Sequence, residues 1–130
     1  MDTLLVGSEV PRVDGLAKVT GKAVYGDDII MNNMLYGVCR YVDIPAGRID
    51  ALDLSEAEKV PGVVRIATWN DIPGQRKLGA IVPDHPPIID KEIAYRGDVV
   101  AVVAAETYEA ACIAVDKIKI TYTPWEPITS

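Results

Sequence analysis

The stretch "YRGDVVAVVAAETYEAACIAV", residues 95–115, decides the fold. Its apolar block Val99–Ala105 is bounded by turn chemistry and predicts a buried strand. Thr107 then predicts a helix N-cap, and Glu109 lies in the first turn, where a negative charge favours the helix dipole. A strand that runs directly into a helix predicts an α+β domain. It also raises the question of whether the junction is a binding site.

The helix is predicted to continue to about Lys117. Its apolar residues repeat at intervals of three and four and form one stripe that would face a core. That stripe consists of Ala111, Ala114, Val115 and Ile118. A last strand is predicted over residues 119–123, because apolar and polar side chains alternate there.

Upstream of this stretch, short apolar runs lie between Pro and Gly breaks and predict further strands. They are residues 34–41, 48–54, 63–69 and 91–95. Ser55 and Glu58 fit an S-x-x-E capping box and predict a short helix near 55–60, which Pro61 ends. The predicted fold class is therefore α+β, with a mixed sheet and two helices, one near 55–60 and one near 107–117.

Three other segments are predicted to be irregular. Residues 1–10 show no periodicity and predict an arm, and residues 10–29 are divided into short pieces by Gly15, Gly21 and Gly26. Residues 70–90 contain many prolines and glycines and predict a long loop. Because ordered loops of this length are uncommon unless they serve a contact, we expect this loop to make one.

The composition fits a single domain of residues 1–130 that needs no disulfides. The chain carries 13 basic and 19 acidic residues, a formal net charge of -6, and has no basic cluster of the kind that binds nucleic acid or an anionic membrane. It shows neither a secretory leader nor an apolar run long enough to cross a bilayer, which predicts a cytoplasmic protein. Cys39 and Cys112 are far apart in sequence and are predicted to be reduced core thiols.

Two motifs in the deciding stretch could indicate a site. Arg96-Gly97-Asp98 resembles an adhesion tripeptide, but Gly97-Asp98 between two predicted strands is more simply a two-residue hairpin turn. The junction at Glu106-Thr107 lacks the glycines that let backbone amides approach a phosphate, and its carboxylates would repel one. Neither motif predicts a ligand.

Two further candidates lie outside that stretch. His85, the only histidine, is followed by Pro86 and has only an adjacent Asp84 to orient it, which is poor geometry for a general base. The carboxylate pair Asp27-Asp28 could serve a cation, but a turn after Gly26 explains it more simply. The residues alone therefore predict no catalytic, cofactor-binding or metal-binding residue in this chain.

Several segments, taken in order, carry a family resemblance. "PRVDGLAKVTGKAVYGDDI" (residues 11–29), "MLYGVCR" (34–40), "GRIDALDLSEAEKVPGVVRIATWNDIPG" (47–74) and "AYRGDVVAVVAAETYEAACIAVDKIKITYTPWEPI" (94–128) together resemble the molybdenum-binding large subunit of the xanthine dehydrogenase and aldehyde oxidase family. The resemblance is to the N-terminal α/β-hammerhead domain of these molybdenum hydroxylases. One departure lies at Ala46-Gly47-Arg48, where the family often carries a histidine.

The resemblance implies a structural domain of an oxidoreductase that hydroxylates a heterocycle or an aldehyde with oxygen from water. It implies a molybdenum–molybdopterin cofactor, iron–sulfur clusters and FAD in the complete enzyme, none of them held by this chain. The implied partners are the molybdopterin-binding domains and the iron–sulfur and FAD subunits or domains, so the isolated chain is predicted to be inactive. The alternative is a stand-alone interaction or assembly subunit that docks onto partner chains.

Overall fold

The computed structural model describes Gly7 and residues 11–128. The chain divides into two compact units, Met1–Asn32 and Asn33–Ser130. The arm predicted over residues 1–10 lies almost wholly outside the described residues. Two α-helices are present in the described part of the chain, α1 (Gly15–Val19) in the first unit and α2 (Tyr108–Lys117) in the second.

The first unit consists of short pieces, as predicted for residues 10–29, but one of them is the helix α1, which was not predicted. Its single turn is closed by hydrogen bonds such as that from Lys18 N to Asp14 O, 3.1 Å long. Asp14 also pairs with the side chains of Arg12 and Lys18, and these contacts lower its pKa. A 3-10 turn, Gly26–Asp28, follows.

The second unit contains six strands in two three-stranded sheets. The strands are β1 (Tyr36–Tyr41), β2 (Gly47–Asp53), β3 (Val63–Thr68), β4 (Glu92–Ile93), β5 (Val99–Ala105) and β6 (Lys119–Pro124). One sheet, called the β5 sheet, has the order β1-β5-β3, and the other, called the β2 sheet, has the order β4-β2-β6. Every predicted strand is confirmed to within a few residues, and β5 coincides with its predicted range.

The prediction of one mixed sheet is wrong in its pairing, because all four strand pairs are antiparallel and they form two separate sheets.

The short helix predicted near 55–60 is also wrong. Residues 55–59 form turns, in which Asp53 Oδ1 accepts a 3.0 Å hydrogen bond from Ser55 N, and Glu58 N donates to Leu54 O. The Asp53 side chain therefore competes with the helical pattern that Ser55 would have started.

The core lies where α2 covers the β5 sheet. On β5, Ala101, Val103 and Ala105 alternate along one face and are completely buried. Ala111 and Ala114 of α2 are also completely buried, and their small side chains permit close approach of helix and sheet. The α+β class is thus confirmed, and the buried apolar block of the deciding stretch is its centre.

Candidate functional site

The turn Tyr95–Asp98 connects β4 to β5 and is held together by the side chain of Asp98. Asp98 is only 2% exposed, and its Oδ2 accepts hydrogen bonds from Ala94 N (2.8 Å) and Tyr95 N (3.2 Å). Asp98 N donates to Tyr95 O, and Gly97 adopts φ +108°, which a glycine tolerates best. The backbone carbonyl of Asp98 also accepts from Val42 N at 2.9 Å, which connects the turn to the end of β1.

The predicted two-residue hairpin is therefore wrong. β4 pairs with β2 and β5 pairs with β1 and β3, so the turn passes the chain from one sheet to the other. An adhesion role gains no support from the geometry, because Asp98 would have to be exposed for it and is instead buried. The carboxylate is a structural anchor for two backbone amides.

The strand-to-helix junction has the predicted capping geometry. Thr107 Oγ1 accepts a 3.1 Å hydrogen bond from Ala110 N, as an N-cap does. Glu106 N donates to Gly62 O at 2.8 Å, so one of the amides at the junction is already used by the chain itself. The geometry resembles an ordinary helix start that fastens α2 to the segment before β3.

A groove of about 660 Å³ opens beside the turn and is here called the Asp98 groove. It is lined by Trp69, Lys77, residues 84–86, residues 89–92, Ala94, Tyr95 and Asp98. The loop 70–90 supplies one wall, and an isolated bridge between Leu78 and His85 gives that loop its order. The loop thus contributes to a concave surface, which the sequence suggested only as an expected contact.

The walls of the groove are aromatic and acidic. The His85 and Tyr95 rings stack with centroids 6.5 Å apart and planes inclined by 19°. The Trp69 ring carries the guanidinium of Arg76, with the carbon Cζ 5.2 Å from the ring centroid. His85 is exposed and its ring stacks on Tyr95, so the structure gives it an aromatic neighbour in the groove.

A network of hydrogen bonds fixes Trp69 at the end of β3. Asp71 accepts from Thr68 N (2.8 Å), from the Thr68 hydroxyl (3.0 Å) and from the Arg65 guanidinium (2.8 Å). These contacts hold the pKa of Asp71 below its ordinary value, with the Thr68 backbone amide as the largest cause. They stabilise the 3-10 turn Trp69–Asp71 that presents the indole to the groove.

The lining of this groove does not include the remaining candidates. Asp28 Oδ2 accepts a 2.9 Å hydrogen bond from Tyr25 N, so at least one carboxylate of the Asp27-Asp28 pair serves a turn, as predicted. Cys39 in β1 and Cys112 in α2 are free thiols, as predicted, but both are half-buried and lie outside the fully buried core. Contact with these thiols raises the pKa of Tyr41 and of Tyr108.

Within the described ranges, no group of three or more His, Cys, Asp or Glu side chains is arranged to hold a metal ion. No helix among residues 11–128 is long and apolar enough to cross a bilayer. The prediction that this chain carries no catalytic or cofactor-binding residue is not tested by these observations and stays a prediction.

Comparison with known proteins identifies the family of this domain. The sequence model of the family "Aldehyde oxidase and xanthine dehydrogenase, a/b hammerhead domain" matches residues 20–126. The chain is 36% identical over 127 residues to the nicotinate dehydrogenase large molybdopterin subunit of Eubacterium barkeri, and 37% identical over 119 residues to a probable xanthine dehydrogenase subunit of Bacillus subtilis. These alignments cover 98% and 92% of the chain but 30% and 16% of the two relatives.

A solved structure gives the same result for the fold. The aldehyde oxidoreductase of Desulfovibrio desulfuricans superposes with a TM-score of 0.90 at 29% identity, over 95% of this chain and 15% of that one. The chain therefore belongs to the aldehyde oxidase and xanthine dehydrogenase family, as an α/β-hammerhead domain. Members of this family are molybdenum enzymes, and this chain spans less than a third of either relative named above.

Proposed function

We propose that the chain is a structural domain of a molybdopterin-dependent oxidoreductase that hydroxylates a heterocycle or an aldehyde with oxygen from water. The observation that carries the proposal is the family match over residues 20–126, joined to a fold whose polar groups serve mainly turns and caps. In this view the domain packs against the parts of the enzyme that hold the cofactor. Iron–sulfur clusters and FAD would carry the electrons away in other domains or subunits.

The Asp98 groove does not suit the molybdenum cofactor, because its net negative charge would oppose the phosphate of a molybdopterin. We therefore assign no catalytic step to any residue of this chain and place the chemistry in the remainder of the enzyme. The isolated chain is expected to be inactive, and a cytoplasmic location fits the proposal.

The experiment that tests this function purifies the natural protein through a tag placed at its chromosomal gene. We expect the tagged protein to be a complex or a longer polypeptide that contains stoichiometric molybdenum, measured by plasma mass spectrometry, and that oxidises a heterocycle or an aldehyde. A tagged species that contains neither molybdenum nor oxidoreductase activity would contradict the proposal. A free 130-residue chain that binds molybdenum-free partners would instead support the stand-alone assembly subunit.

A further inference from the structure

Asp98 has one carboxylate oxygen that its own turn does not use. Both hydrogen bonds from described residues go to Oδ2, from Ala94 N and Tyr95 N, and none goes to Oδ1. The polar side-chain atoms that are both buried and unpartnered in the described residues are Arg40 Nε and Tyr122 Oη. Oδ1 of Asp98 is not one of them, so the described residues leave it accessible, and Asp98 itself lines the groove.

Such an oxygen favours a donor from outside the turn. Asp98 as a whole is only 2% exposed, so little water is available to hydrate the second oxygen. A charged donor would form a stronger hydrogen bond to this carboxylate than a neutral one.

The charge of the groove selects a cation. Four carboxylates line it, against two ammonium groups from Lys77 and Lys91, which leaves a net formal charge of −2 with His85 neutral. Those carboxylates belong to Asp84, Asp90, Glu92 and Asp98. Six ion pairs join described residues elsewhere in the chain, and none of them involves a carboxylate of the groove.

The aromatic walls select a flat cation. Tyr95 offers a ring at the groove beside Asp98, and the ring of Trp69 already carries the guanidinium of Arg76. A guanidinium combines several N–H donors with a planar face that stacks on aromatic rings, whereas an ammonium is a strongly hydrated point charge. One guanidinium can therefore donate to Asp98 Oδ1 and lie against Tyr95 together.

We propose that the Asp98 groove receives an arginine side chain from a protein segment outside these 130 residues, with its guanidinium donating to Asp98 Oδ1. The charge complementarity and the aromatic wall fix the chemistry of the occupant. The proposal that a protein segment supplies this arginine rests on the proposed function, because the chain spans only 30% and 16% of the length of two relatives. The chemistry does not depend on that function and is tested separately.

The first experiment titrates the 15N-labelled chain with Nα-acetyl-arginine amide and follows amide resonances by NMR. We expect saturable shifts at Ala94, Tyr95 and Asp98. The neutral isostere Nα-acetyl-citrulline amide is expected to bind at least about fivefold more weakly, the ratio that corresponds to one modest ion pair. Equal binding of the two compounds, or shifts confined to residues outside the groove, would overturn the proposal.

Variants locate the binding site. Asp98→Asn retains a carbonyl oxygen for the turn but removes the charge, and we expect it to weaken binding of the arginine amide at least about fivefold. If Asp98→Asn does not fold, the double variant Asp90→Asn/Glu92→Gln, which changes only exposed carboxylates of the groove, decides by the same criterion. Asp116→Asn, on the exposed face of α2 away from the groove lining, is the matched control and should bind unchanged. Unchanged affinity in a folded Asp98→Asn would overturn the proposal.

A last arm tests the source of the arginine. The same arginine amide is titrated into the natural tagged protein, with quenching of Trp fluorescence as the readout for the groove. If a segment of that protein already fills the groove, the compound should bind at least about tenfold more weakly than to the 130-residue chain. Equal affinity for the two would overturn the protein source while leaving the guanidinium site intact, so this result is separate from a failure of the proposed function.

Discussion

At the scale of single residues, Asp98 connects the fold to the groove. Its Oδ2 replaces the hydrogen bonds that Ala94 N and Tyr95 N would otherwise make to water, and its backbone fastens the turn to Val42. A Gly-Asp pair between two apolar runs indicates a turn in any sequence. This turn joins two sheets and leaves Oδ1 without a hydrogen bond from its own residues. Both features depend on the pairing of distant strands, which the local sequence does not specify.

Substitution of Asp98 tests its structural role. Asp98→Ala leaves two partly buried amides without their acceptor, and we expect it to lower the free energy of unfolding by about 2 kcal/mol. Asp98→Asn should cost less, because its carbonyl oxygen can still accept. Urea unfolding measures both, and Asp116→Ala, an exposed helix residue, should stay within about 0.5 kcal/mol of the parent. An unchanged free energy of unfolding in Asp98→Ala would contradict the role of Asp98 as the anchor of this turn.

A second test at this scale uses pH. The Thr68 backbone amide, the Arg65 guanidinium and the Thr68 hydroxyl lower the pKa of Asp71 below its ordinary value of 3.8. Because the folded-state pKa is the lower one, the stabilisation is fully present above the unfolded value and is lost as the pH falls through the folded value. Asp71→Asn should therefore lose less stability than the parent as the pH falls below 3.8.

Urea unfolding at a series of pH values measures this difference. Asp116 is exposed and takes part in none of the ion pairs between described residues, so Asp116→Asn is the matched control and its pH profile should follow the parent. The same profile for Asp71→Asn and the parent would show that the Asp71 network does not persist in solution.

At the scale of secondary-structure elements, β2 is the strand that depends most on a glycine. Gly47 pairs with Ile93 on one side and Pro124 on the other. A Cβ built on Gly47 would lie 2.7 Å from Thr123 O and 2.8 Å from Ile44 Cδ1, and the residue has φ +157°. The two backbones approach too closely at this point for any side chain.

Gly47→Ala should therefore disturb the pairing of β2 with β6. We expect a loss of about 2–3 kcal/mol in the free energy of unfolding, because the clashing oxygen belongs to the backbone and cannot rotate away. Gly37→Ala in β1 is the matched control, since a Cβ added there would meet no atom within 4 Å, and it should change stability by less than about 0.5 kcal/mol. Equal effects of the two substitutions, by urea unfolding, would contradict the close approach.

Prediction of the elements succeeded where a local signal agreed with burial. β5 and the Thr107 cap were predicted because an apolar block and a capping residue each act within a few residues. The helix near 55–60 was wrong because Asp53 captures Ser55 N, which the capping-box pattern does not reveal. α1 was missed because it is a single turn within a glycine-rich segment.

At the scale of the whole molecule, the sequence predicted the family but not the groove. The family signal lies in ordered segments that reach five of the six strands, and the match over residues 20–126 confirms it. The groove unites Trp69, the loop 70–90 and the Tyr95–Asp98 turn, which are brought together only by the packing of two sheets. No periodicity or motif spans such a set, so a concave surface of this kind becomes visible only in the fold.

The central claim is that this chain is scaffold and that the chemistry belongs to the rest of the enzyme. The most direct measurement is the molybdenum and molybdopterin content of the purified 130-residue chain, expressed in cells that make the cofactor, together with its turnover of xanthine. The account predicts that the chain folds, contains no stoichiometric molybdenum or pterin, and shows no turnover. Stoichiometric bound molybdenum, or turnover by the chain alone, would contradict it.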